Sequence, residues 1–171
     1  NMDYYINEFK KRDILVIEDI THRLFNDENH CCFSDYLIAS LRKWLPLLSG
    51  GIAIKTKGSF KDIKLEEPLE KHINKRLEAM ELKAKYMRGE NPDNSTKNKF
   101  LKLYSDFNRG ISNSYRNYRI DSLSRELLES INSKYQIEKR RENGEVLHTY
   151  LNKIDGLVPL FNYKDFTSDC P

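Results

Sequence analysis

Long apolar runs are missing from this chain. Nowhere among its 171 residues does one approach the roughly 20 positions of a membrane span, and its start lacks the pattern of a secretory signal. Neither membrane passage nor export is therefore expected. Cysteine is scarce as well, with Cys31, Cys32 and Cys170 as the three. Neighbouring cysteines rarely pair with each other, and an odd count argues against a disulfide framework, so a reducing, cytoplasmic setting is expected. His30 beside Cys31 and Cys32 suggests a metal ligand set, but the spacing fits no common zinc pattern, and no metal is expected. An excess of one charge is lacking too. The net charge is +3, and residues 1–60 carry eight basic and eight acidic side chains, leaving 21 basic against 18 acidic after them. Mixed signs without a basic stripe describe a solvated surface and give no reason to expect a nucleic-acid partner. With 39% hydrophobic and 32% charged residues, the chain is long enough to bury a core and suits a soluble, helix-rich protein.

What is present has an order. Residues 4–12 predict a short amphipathic helix. Ile14-Leu15-Val16-Ile17 follows, four apolar residues without alternation, which predicts a strand buried on both faces as in a parallel sheet. Tyr36-Leu37-Ile38-Ala39 predicts a second buried strand and Gly51-Ile52-Ala53-Ile54-Lys55 a third. The link between these last two is too short for a crossover helix, so the third strand is expected to run antiparallel to the second. Beyond residue 60 the pattern is helical. Helices are predicted over about 66–88, 96–109, 122–133 and 136–153, with Ser122 as an N-cap. The expected class is α/β, a small sheet region followed by a mainly helical one.

Two polar groups sit where such a sheet places ligands, at the carboxyl ends of parallel strands. Asp19 lies just past the first predicted strand, within Glu18-Asp19-Ile20-Thr21-His22. Lys43 lies past the second, within Ser40-Leu41-Arg42-Lys43-Trp44, and Gly50-Gly51 opens the third. If the two strands are neighbours, a carboxylate and an amine reach the same crevice. Each residue has a plainer reading: Asp19 as a helix N-cap, Lys43 as a surface lysine, His22 as a solvated histidine, Trp44 as packing.

These stretches, in this order, together with Ser34-Asp35-Tyr36 entering a strand, resemble fold-type I pyridoxal-phosphate (PLP) enzymes. The sequence is most similar to the sugar-aminotransferase branch of the DegT/StrS type. The likeness continues through Arg119-Ile120-Asp121-Ser122-Leu123-Ser124, through Lys139-Arg140-Arg141-Glu142-Asn143 with Leu147 and Leu151, and through Val158-Pro159-Leu160-Phe161. It implies that Lys43 is the Schiff-base lysine and proton shuttle, and that Asp19 pairs with the pyridine nitrogen. It also implies that His22 lies near the cofactor's phenolic oxygen and that Ser40 holds the phosphate, with Arg42 as the alternative phosphate partner. The Ser-Leu-Arg-Lys spacing is shorter than is common in the sugar branch and closer to the Ser-x-His-Lys-Trp pattern of other fold-type I enzymes.

The resemblance further implies part of a PLP-transferase large-domain sheet over 1–60, and a helical linker with an incomplete small domain over 61–171. It implies a keto sugar nucleotide and an amino donor as substrates, and a homodimer. It covers the middle-to-late portion of such an enzyme. A phosphate-binding glycine turn and a ring that stacks on the cofactor are not found, so residues 1–171 alone are expected to bind PLP weakly and not to turn over. The alternatives are a non-catalytic protein of the same fold and a helical interaction module.

Overall fold

The computed structural model describes residues 2–25, 33–113 and 117–158. His30, Cys31, Cys32 and Cys170, and most of the Val158-to-Phe161 stretch, lie outside the described residues. Among the described residues the order is α1 (Met2–Lys10), β1 (Ile17–Asp19), β2 (Tyr36–Ser40), β3 (Gly51–Lys55), α2 (Glu70–Met87), α3 (Asn94–Asn113), α4 (Ser122–Ser130) and α5 (Ser133–Leu151). Single 3-10 turns lie at Thr21–Arg23 and Leu41–Lys43. The architecture is mixed α/β. No described helix is long and apolar enough to cross a membrane. The contacts divide the chain into two units that interleave along the sequence.

The first unit draws on Asn1–Lys43, Ile52–Ser59 and Ser130–Pro171. Its α1 stops because Asp13 takes the left-handed conformation at φ 54°. There the Asp13 N–H donates to the Lys10 carbonyl at 3.1 Å and the Ile14 N–H to that of Phe9 at 3.1 Å. This is the helix-ending arrangement usually left to glycine, with aspartate among the residues that tolerate it. The three strands lie in the order β1-β2-β3. β1 and β2 are parallel, with Ile17 opposite Tyr36 and Asp19 opposite Ile38. The sheet is mixed, so β3 runs antiparallel to β2, as its short connection requires. The Thr56 N–H accordingly donates to the Asp35 carbonyl at 3.1 Å, joining the end of β3 to the start of β2.

One expectation fails here. The run Ile14 to Ile17 is not a strand buried on both faces. The strand begins at Ile17, and Ile14, Leu15 and Ile17 are all exposed, Ile17 at 58%. The reversal at Asp13 consumes the start of the run, and the Val16 N–H donates to the Asp35 carboxylate at 2.9 Å instead of to a ladder. β2 then alternates, with Leu37 and Ala39 buried and Ile38 exposed. One core cluster of the unit is Ile20, Leu37 and Ala39, packed by Leu24 and Ile52, and Ile6, Leu41 and Ile137 of the same unit are buried as well.

The second unit comprises Trp44–Gly51 and Phe60–Glu129. Its frame is the α2–α3 hairpin. Tyr86 meets Phe100 with ring centroids 5.7 Å apart, the Arg76 guanidinium lies 5.0 Å from the Phe107 centroid, and Lys99 pairs with Glu78 at 2.9 Å. The first two pairs run in opposite directions along the two helices, so the hairpin is antiparallel. Gly89, at φ 75°, closes α2. Asp93 caps α3 by accepting from the Thr96 N–H at 2.7 Å and the Ser95 hydroxyl at 2.6 Å. Those bonds bring its carboxyl down to about 2. Phe107 is fully buried, and Leu47, Leu48 and Ala79 are also buried.

A polar hub ties the loop before Gly50 to α4. The Ser124 hydroxyl accepts from the Leu48 N–H at 2.9 Å and the Ser49 N–H at 3.2 Å. Asp121 accepts from the Ser124 N–H at 2.8 Å and from the Ser49 hydroxyl at 2.5 Å. Burial opposes ionisation of Asp121, and the bonds from Ser49 and Ser124 outweigh it, holding the carboxyl below its ordinary range. Asp121, not Ser122 as expected, is therefore the cap of α4. It is the residue whose carboxylate reaches the third N–H of the helix.

Two outcomes follow from the second unit. Ser124→Ala strands the buried Leu48 N–H and should cost about 1–3 kcal/mol in chemical denaturation; a loss within 0.3 kcal/mol or so of zero would remove the hub from the account. His72, in the first turn of α2, has its imidazole held below the ordinary histidine range by burial and then by Lys71 and Lys75. The unfolded chain therefore takes the proton first, and stability should fall as pH drops through about 6.5, levelling off below the folded value. His72→Gln should lack that limb of the pH–stability curve.

Candidate functional site

The carboxyl ends of β1 and β2 lie side by side in the first unit because the two strands are parallel neighbours. Each strand runs directly into a 3-10 turn. Thr21–Arg23 carries His22, Leu41–Lys43 carries Arg42 and Lys43, and the two turns pack against each other. Asp19 is the last residue of β1 and Ser40 the last of β2. The five residues singled out from sequence thus occupy the same end of the sheet. Asp19, His22 and Lys43 are exposed there, and Ser40 and Arg42 half-buried.

The link between the strand ends is Thr21, which is buried. Its N–H donates to the Asp19 carboxylate at 2.9 Å, closing an Asx turn over two residues. Its hydroxyl oxygen accepts from the Ser40 N–H at 2.9 Å. The carboxyl of Asp19 is lowered first by the Thr21 side chain, then by the Thr21 N–H, with a smaller contribution from His22. Asp19 is therefore an ionised acceptor with a fixed direction. Ser40 enters this network through its backbone N–H. Lys43 is tied through its carbonyl, which accepts from the Arg140 guanidinium of α5 at 3.4 Å.

Glu18, next to Asp19, points to the other face of the strand. It accepts from the fully buried Ser34 hydroxyl at 2.8 Å and pairs with Arg23. A hollow of about 510 Å³ lies between α1 and β1, with Tyr5, Phe9 and Ile17 on its walls and Asp19 and Arg23 at its rim. Among the described residues, its lining includes none of His22, Ser40, Arg42 or Lys43. Among the described residues, the shared end of the sheet and this hollow therefore meet at Asp19 and at Arg23 of the first turn.

Sequence reading assigned no role to Thr21, Glu18 or Ser34. The Asp-x-Thr spacing at a strand end is an Asx-turn signal and was the available clue. The bonds from Ser40 to Thr21 and from Ser34 to Glu18 join residues 19 and 16 positions apart, which no local pattern announces. Among the described residues, no group of three His, Cys, Asp or Glu side chains forms a metal site. Comparison with known proteins finds no matching family model, no matching curated protein and no matching solved structure.

Thr21→Val, which keeps the shape and removes the hydroxyl, should raise the titration midpoint of Asp19 toward that of an ordinary carboxyl. It should also destabilise the chain by about 1 kcal/mol through the stranded Ser40 N–H. Carboxyl-carbon NMR of Asp19 reads the first effect directly. An unmoved midpoint would show that Thr21 does not govern that carboxylate.

Proposed function

We propose that this end of the sheet is the cofactor corner of a PLP-dependent aminotransferase-like protein of the DegT/StrS type. The observation that carries the reading is the pairing of β1 and β2 as parallel neighbours, with Asp19 at one carboxyl end and the Arg42-Lys43 turn at the other. The donor set suits the cofactor. An ionised carboxylate matches a protonated ring nitrogen, a guanidinium matches a phosphate, and an amine matches an aldehyde. When bound, PLP supplies an electron sink for a carbanion at the carbon of an amino donor.

The chain's own residues then have separable tasks. Asp19, held ionised by Thr21, keeps a proton on the ring nitrogen. His22 lies one turn further and orients the ring's oxygen side. Arg42, or the end of β2 at Ser40, binds the phosphate. Lys43 Nζ would take the proton from the donor carbon and pass it to the cofactor as the amino group is left there, and would move a proton the opposite way, onto the acceptor carbon, in the second half-reaction. On this reading the substrates are an amino acid and a keto sugar nucleotide, and the protein works as a cytoplasmic homodimer. A second reading, a protein of this fold without catalysis, is favoured by one observation. Lys43 and Asp19 are both exposed, whereas catalytic electrostatics work best where water is excluded.

The test is PLP added to the full chain, with absorbance followed by borohydride fixation and peptide mapping. A visible band, label concentrated on Lys43 over other exposed lysines such as Lys57 and Lys97, and loss of both in Lys43→Ala are expected. Label spread evenly over surface lysines, with Lys43→Ala indistinguishable from wild type, would leave the non-catalytic reading.

A further inference from the structure

A hollow of about 350 Å³ lies in the first unit, at the end of β2 away from Ser40. Ile14 and Leu15 give it an apolar wall, and Lys10, Lys55 and Lys57 bring three ammonium groups to it. None of these five side chains is buried. Small-molecule pockets commonly hold about 300–1,000 Å³, with apolar walls and a few placed polar groups. The wall has a cause in the fold: the reversal at Asp13 leaves Ile14 and Leu15 exposed side by side. Adjoining exposed apolar groups rimmed by polar ones are a mark of a ligand groove.

The polar side is partly committed. Asp35 is spent on the fold, because one of its oxygens accepts from the Val16 N–H at 2.9 Å and the other pairs with Lys10 at 3.3 Å. Lys57 acts on Asp35 through its charge but forms no ion pair among the described residues. Lys55 donates to the Ser59 carbonyl at 3.2 Å and lies 6.0 Å from the centroid of the Tyr36 ring. An ammonium carries three hydrogens, so Lys55 has others to offer. Thr56, between the two lysines, is fastened to the start of β2: its hydroxyl donates to the Ser34 carbonyl at 2.6 Å and its N–H to the Asp35 carbonyl at 3.1 Å. The backbone carrying both lysines is thereby set before any guest arrives, which limits the ordering that binding requires.

Charge narrows the guest. The lining has three positive groups and two negative ones, Asp13 and Asp35, an excess of one positive charge. A cation would meet three ammonium groups, and a dianion would reverse the balance. A single negative charge closes it, and the wall of Ile14 and Leu15 calls for hydrocarbon. We propose that this hollow binds a small apolar monocarboxylate, with its carboxylate on Lys55 and Lys57 and its hydrocarbon part against Ile14 and Leu15. The hollow lies at the opposite end of β2 from the cofactor corner, so the inference does not depend on that reading.

The experiment is calorimetric titration of the full chain, at neutral pH and low salt, with benzoate, benzyl alcohol and phenyl phosphate. Benzoate should bind about tenfold more tightly than its neutral counterpart benzyl alcohol, the preference of a charge-assisted hydrogen bond, and added salt should shrink that preference. Lys57→Gln should weaken benzoate about fivefold and leave benzyl alcohol unchanged. In wild-type protein the amide resonances of Ile14, Leu15, Lys55 and Lys57 should move with benzoate, and they decide the matter should the variant not fold. No binding of benzoate, equal binding of benzyl alcohol, an unaffected Lys57→Gln, or resonance shifts elsewhere on the chain would each overturn the proposal. Tighter binding of phenyl phosphate would overturn it too, by making the hollow a phosphate site.

Discussion

The Thr21 hydroxyl stands between two strands. It accepts from the Ser40 N–H, while the same residue's N–H and side chain hold the Asp19 carboxylate. β1 is three residues long and pairs with β2 over three positions. So short a ladder specifies its register weakly by itself. The Ile20 N–H extends it by donating to the Ile38 carbonyl at 2.8 Å, and Thr21 then adds a side-chain rung beyond it. Loss of that rung would free the two 3-10 turns that carry His22, Arg42 and Lys43 to separate. A buried threonine thus sets the spacing of four charged or titratable groups without itself being one of them.

The second unit uses the same device with serine. Ser124 accepts two loop N–H groups while its own N–H is taken by Asp121. A loop that must turn from Leu47 to Gly50 has backbone donors with no ladder or helix to receive them, and water is excluded at Leu47 and Leu48. The Ser124 hydroxyl receives those of Leu48 and Ser49, and the Asp121 carboxylate takes the Ser49 hydroxyl. Gly50 then adopts φ 128°, where a side chain would be strained, and the chain enters β3. The double glycine read from sequence as an opening of the third strand has this backbone requirement behind it.

The elements that were legible are those with local causes. β3 is the pentapeptide Gly51–Lys55 that was expected, β2 extends its expectation by one residue, and the four later helices lie within a few residues of their predicted spans. That β1 and β2 are parallel neighbours was a condition of the sequence reading, and the pairing of Ile17 with Tyr36 and of Asp19 with Ile38 meets it. What escaped were effects of other kinds. Four apolar residues at Ile14 to Ile17 look like a buried strand until Asp13 turns left-handed and Asp35 captures the Val16 N–H. Ser122 has the composition of a cap, but Asp121 reaches the N–H. The roles of Thr21 and His72 depend on partners at Ser40 and Gly110, 19 and 38 positions away, and neither separation has a periodicity to betray it.

The division of labour between Glu18 and Asp19 bears on why the corner exists. Successive residues of a strand face opposite ways. Glu18 is committed to the fold, bonded to a fully buried serine and paired with Arg23. Asp19, His22 and Lys43 are exposed, and exposed charges contribute little to stability. The charges of Asp19, His22 and Lys43 themselves therefore add little to the stability of the fold. The Asp19 carboxylate also serves the fold, because it accepts the N–H of buried Thr21 and closes the turn that follows β1. Thr21 accepts the Ser40 N–H and donates its own N–H to the Asp19 carboxylate, so one buried residue fixes both the second strand's end and the direction of the carboxylate at the first.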